Sequence, residues 1–146
     1  MRPAWVVVAD SSGCRLFAAE KPVGPLQEFE SFVHPEGRMH GRDLVSDQPG
    51  RAFDSKGAGR HAMEAQVSPK KHEAMMFAGL IAQRLAQGRA QRAFDRLVLV
   101  APPAFLGVLR ERLDRHVRAR VAREVGKNMS RLKPAALRAR LPRRLY

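Results

Sequence analysis

Two short stretches of this chain are apolar at every position: Trp5-Val6-Val7-Val8-Ala9 and Leu97-Val98-Leu99-Val100-Ala101. Continuous aliphatic and β-branched runs of this length mark strands buried on both faces, so the two are expected to lie side by side in a sheet. Asp10-Ser11-Ser12-Gly13 carries turn chemistry, and Cys14–Ala18 returns as a second strand, making a hairpin with the first. After a further turn at Pro22, Gly24 and Pro25, Leu26–Val33 alternates loosely and predicts a third strand that turns Glu28 and Glu30 to an exposed face.

The period changes after Ser68-Pro69, where serine is suited to cap a helix and proline to occupy its first position. Ala74, Phe77, Leu80, Ile81 and Leu85 then recur at three- and four-residue spacing and predict a core-facing helix ending near Gly88. Pro102-Pro103 stops the second apolar run. Phe105, Leu106, Leu109 and Leu113 predict a second helix to about Val117, with Arg110, Arg112 and Arg115 around its polar side. Val117–Val125 alternates, so a strand begins within that span; Gly126–Ser130 is a turn, and Pro134–Leu141 a short terminal helix closed by Pro142. The order β-β-β-loop-α-β-α-β-α predicts an α/β single domain, a mixed sheet of about five strands covered by helices. A chain of 146 residues, 45% hydrophobic, suits one such core.

The exception to this patterning is Gly41–Glu64. It sets Arg42, Asp43, Asp47, Arg51, Asp54, Arg60, His61 and Glu64 among Gly41, Gly50, Gly57 and Gly59, with Leu44, Val45, Phe53 and Met63 as its sizeable apolar residues. Segments of this length without regular structure are uncommon inside a domain and are usually functional or disordered. A functional loop, at least partly mobile without its partner, is expected before the first major helix.

Charge narrows the partner. Residues 89–146 hold 16 Lys/Arg against 4 Asp/Glu, a net of +12, while residues 1–88 hold 11 against 10, a net of +1. Such asymmetry suggests a polyanion, most naturally RNA or DNA, with acidic membrane lipid as a weaker choice and an acidic protein partner as a third reading. Arginine makes up 21 of the 27 basic residues, and an arginine-rich solvent face without any partner accounts for the same composition. Aromatic residues for base stacking are scarce beyond Phe94, which favours contact with phosphate backbone over base readout. The candidate anion-binding residues are Arg51, Arg60, His61, Lys70 and Lys71, where the loop passes into the helix, with Arg110 and Arg123 as a second face.

Enzymatic chemistry has weaker support. Asp10 follows the first buried strand, and Asp43 and Asp54 could join it around a magnesium ion, although Asp10 in Asp-Ser-Ser-Gly is more simply a turn residue. His61 with Glu64 could form an acid/base pair, or be solvated; His72-Glu73 after Lys70-Lys71 could open a phosphate-binding helix, or be a charged face. No Gly-x-Ser-x-Gly elbow, P-loop or His-Glu-x-x-His occurs, so a binding module is favoured, with a metal-dependent hydrolase or nuclease as the alternative. No cofactor is indicated. The single cysteine, Cys14, excludes an internal disulfide and a zinc site built on cysteine pairs, and is expected as a buried, inert thiol. No apolar run is long enough to span a bilayer, and Trp5–Ala9 is too short for a signal-peptide core, so a cytoplasmic location is expected.

The chain resembles the bacterial host attachment protein family over almost its whole length. The carrying residues are Trp5–Asp10 with Arg15-Leu16-Phe17, Leu44-Val45-Ser46-Asp47, Gly50-Arg51, Phe53-Asp54-Ser55, Gly59-Arg60-His61 and His72-Glu73. Further on they are Phe94–Pro103, Phe105-Leu106-Gly107 and Leu137-Arg138. That family is in turn distantly similar to the middle domain of archaeal and eukaryotic peptide release factors and Pelota, which implies a mixed sheet with a long loop feeding the first major helix. Where release factors carry Gly-Gly-Gln, this chain reads Gly57-Ala58-Gly59-Arg60-His61. The glutamine is missing, so the resemblance carries RNA or ribosome association and not peptidyl-tRNA hydrolysis.

Overall fold

The computed structural model describes residues 2–34 and 68–146; the segment Gly41–Glu64 and the candidates Asp43, Arg51, Asp54, Arg60 and His61 lie outside the described residues. Five strands, β1 (Ala4–Asp10), β2 (Gly13–Ala19), β3 (Gln27–Val33), β4 (Arg96–Val100) and β5 (Val121–Val125), form one mixed sheet in the order β3-β2-β1-β4-β5. β1 pairs antiparallel with β2 and parallel with β4, Val6 standing opposite Val98. The two all-apolar runs are thus neighbours, and every residue from Ala4 to Ala9 and from Leu97 to Val100 is buried.

Alternation along β1 divides the core in two. Trp5, Val7 and Ala9 face α1 (Pro69–Ala90), α2 (Pro103–Arg112) and α3 (Arg115–Arg118), packing with Phe77, Ile81, Leu85, Phe105, Leu109 and Val117. Ala4, Val6 and Val8 face the other way, against Phe17, Val98, Met129, Leu137 of α4 (Pro134–Ala139), Leu141 and Leu145. Each large aliphatic or aromatic side chain buried this way contributes about 1.5–3 kcal/mol before conformational entropy is set against it. Guanidinium groups fasten the second layer. Arg138 donates to the carbonyls of Gly24 (2.6 Å), Pro142 (2.8 Å) and Arg143 (2.6 Å), and Arg123 to those of Leu145 (3.1 Å) and Arg144 (3.3 Å).

Three local expectations are corrected. Leu80 is 47% exposed: the buried stripe of α1 runs through Phe77, Ala78, Ile81, Leu85 and Gly88, and residue 80 falls past its edge. The helix after Pro103 does not run to Val117 but breaks at Leu113, where ψ is 137°, and restarts with the Asp114 carboxylate accepting from Val117 N at 2.8 Å. Glu28 and Glu30 do not share a face. A bulge between Leu16 and Phe17 in the β2–β3 register sends Glu28 to Arg15 and Glu30 to Arg84 of α1. The helix ends at Ala90, near Gly88 as expected, and the lack of a side chain at Gly88 admits the Trp5 ring.

Candidate functional site

β1 and β4 end side by side, and the chain leaves them in opposite directions, to β2 from β1 and to α2 and β5 from β4. In open α/β sheets a crevice at such a point, outside the carboxyl ends of the strands, is the usual ligand site. Here it encloses about 700 Å³. Asp10, Ser11 and Ser12 of the β1–β2 turn line one side with Asn128; Ser68, Lys70 and Lys71 at the start of α1 line another; Pro102, Phe105 and Val108 supply an apolar wall.

Asp10 builds the crevice rather than serving it. Its Oδ1 accepts from Ser12 N (2.8 Å), Ser12 Oγ (2.8 Å) and Gly13 N (3.0 Å), and its Oδ2 from Ser130 Oγ (2.9 Å). Partial burial works against ionisation, but these bonds to Ser12, Ser130 and Gly13 outweigh it and hold the carboxyl below the usual aspartate range. The turn role expected for Asp-Ser-Ser-Gly is present, with an added tie to the Asn128–Ser130 segment that no local pattern announces. Among the described residues no group of three His, Cys, Asp or Glu side chains is placed to hold a metal ion.

The start of α1 meets its sequence signals. Ser68 is the cap, its Oγ accepting from Lys71 N at 3.0 Å, Pro69 follows, and no acidic residue stands in the first turn. Pro69 has no N–H and that of Lys71 is taken by the cap, so the Lys70 N–H and the positive end of the helix dipole meet the crevice together with the exposed Lys70 and Lys71 side chains, an arrangement suited to an anion. His72 and Glu73 separate: His72 is exposed, while Glu73 turns inward, its Oε1 2.8 Å from Nε2 of His34. His34 is 3% exposed, stacks on Phe77 at 5.1 Å, and donates its backbone N–H to Ser12 O at 3.0 Å. It thus ties the end of β3 to both the Ser12 turn and α1. Sequence reasoning passed over it, since a lone histidine after a strand gains its meaning only from Glu73 and Phe77.

Of the other candidate cations, Arg110 is bound through Nε and Nη2 to Glu124 of β5, which raises the guanidinium and lowers the Glu124 carboxyl from their ordinary ranges. Arg123 is spent on backbone carbonyls at residues 144 and 145. These two do not gather at the crevice, whereas Lys70, Lys71 and Asp10 do. Cys14 is buried in β2, and burial, with Glu30 and Asp10 adding, pushes its thiol far up.

The family model described as protein required for attachment to host cells matches residues 5–141, nearly the whole chain and all the elements that form the crevice. No curated protein matches the chain. No helix among the described residues is long and apolar enough to cross a membrane.

Proposed function

The chain belongs to the family of proteins required for attachment to host cells, and we propose that within it this protein is a non-enzymatic, cytoplasmic RNA-binding module that associates with RNA or the ribosome. One observation carries the reading: Lys70 and Lys71 stand with the capped start of a 22-residue helix at the mouth of a crevice of about 700 Å³. A phosphate there gains the Lys70 N–H, two ammonium groups and the hydroxyls of Ser11 and Ser68; the Phe105 wall suits the adjoining sugar or base. The net charge of +12 over residues 89–146 supplies the long-range attraction that draws a polyanion in. A metal-dependent hydrolase has less support, because both Asp10 oxygens already hold the turn and the Ser130 segment.

The test is the double substitution Lys70→Glu/Lys71→Glu, followed by the amount of RNA that co-purifies and by affinity for structured RNA across a salt series. Both side chains are exposed, so the fold should survive. RNA retention should be lost. In the residual binding, the slope of log affinity against log salt should shrink by roughly 0.7–0.9, the contribution of one contacted phosphate. Unchanged retention with an unchanged slope would remove the crevice from RNA binding, and recovery of an acidic protein instead of RNA would overturn the reading.

A further inference from the structure

At the other end of the sheet, Arg89 in the last turn of α1, Arg115 and His116 of α3, and Arg120 just before β5 line a separate depression of about 510 Å³ with Ala119. Among the described residues no carboxylate lines it. Among the described residues none of the four cationic or titratable side chains forms an ion pair, and Arg89 Nε is buried with no hydrogen-bond partner. A buried donor left unbonded costs free energy. Asp95, which lies near Arg120, is already taken by Arg2, through its backbone N (3.3 Å) and its guanidinium (3.0 Å).

We propose that this depression is a second anion site, built for a terminal phosphate or pyrophosphate group and independent of the crevice. Three guanidinium groups around one concavity exceed the single charge of a phosphodiester and match a group carrying two or three charges. Their planar forks give paired donors to tetrahedral oxyanions, and the His116 ring adds an N–H donor. From Lys70 to Arg89 the helix advances about 28 Å at 1.5 Å per residue, too far for one small anion to touch both sites.

The test uses the full chain and three probes at low salt: inorganic pyrophosphate, and an oligoribonucleotide with and without a 5′-phosphate. Binding is followed by calorimetry and by the amide and arginine Nε–H resonances. Pyrophosphate should shift Arg89, Arg115, His116 and Arg120, and Arg115→Gln/Arg120→Gln should weaken it at least about tenfold, as expected for lost charge-assisted hydrogen bonds. Lys70→Glu/Lys71→Glu should leave these shifts in place. A gain in affinity from the 5′-phosphate identifies the source as a nucleic-acid end; pyrophosphate binding without that gain identifies a free anion. Arg115 and Arg120 are exposed, so this variant should fold, and Arg89→Gln provides an independent second variant. Shifts confined to the crevice, equal affinity in Arg115→Gln/Arg120→Gln, or no response to any probe would overturn the proposal.

Discussion

The three glycines within α1 and α2 form a natural experiment. A Cβ on Gly88 would stand 2.7 Å from both Cη2 and Cζ3 of Trp5 and 3.1 Å from Cε2 of Phe94. The indole cannot step aside freely, because Phe29 lies at 4.9 Å, Phe94 at 4.8 Å and the Arg84 guanidinium at 5.0 Å from its ring. Overpacking of this kind costs up to about 3 kcal/mol, against about 1 kcal/mol that alanine gains over glycine in a helix. Gly88→Ala should therefore destabilise by about 2 kcal/mol, or lower Tm by about 4–8 °C for a chain of this size. Gly107 in α2 has nothing within 4 Å of the same position, so Gly107→Ala keeps the whole helical gain and should raise Tm by about 2–4 °C. At Gly79 the obstruction is the far end of the Arg112 side chain, at 2.7 Å, which can swing away, and the substitution should fall between the other two. Thermal melts by circular dichroism, with urea titrations to show that m is unchanged, measure all three. If Gly88→Ala melts at or above the parent, or Gly107→Ala below it, the account of how α1 and α2 pack is wrong.

Two further outcomes concern titratable groups. Because the folded Asp10 carboxyl titrates below its unfolded value of about 3.9, its stabilisation is present above that pH and is lost as pH falls through the folded value. Asp10→Asn should accordingly flatten the acid limb of stability against pH below about pH 4; acid limbs of equal steepness in the two proteins would contradict the hydrogen-bond scheme. Cys14, its thiol pushed up by burial, should resist a disulfide reagent in the native protein and react only as denaturant opens the sheet, whereas rapid labelling under native conditions would show that β2 opens locally.

Sequence pattern revealed most where one physical cause dominated. Burial on both faces demanded unbroken apolar runs at Trp5–Ala9 and Leu97–Ala101, so β1 and β4 could be read and paired. Ser68-Pro69 declared the start of α1 and, with it, Lys70 and Lys71. Features created by partners distant in sequence stayed hidden: the β3 bulge, the His34–Glu73 contact, and the meeting of Arg89 with Arg115 and Arg120. Arginine in particular defeated the reading by residue type, since Arg123 and Arg138 hold carbonyls, Arg110 holds Glu124, and Arg89 lines a depression, with nothing in their local sequence to tell them apart.

The pairing of Val6 with Val98 also bears on how the chain is made. β1 emerges with both faces apolar well before β4 and the residues up to Leu145 that cover its second face. The hairpin partner β2 is available early, but it leaves the other edge of β1 open. During elongation Trp-Val-Val-Val-Ala is thus an unpaired, uncharged β-forming edge of the kind that recruits other strands. Productive folding must then await synthesis of β4 and of the covering residues up to Leu145, and the yield of native protein should depend on synthesis rate, temperature and chaperones that hold nascent chains more than on the stability of the finished domain.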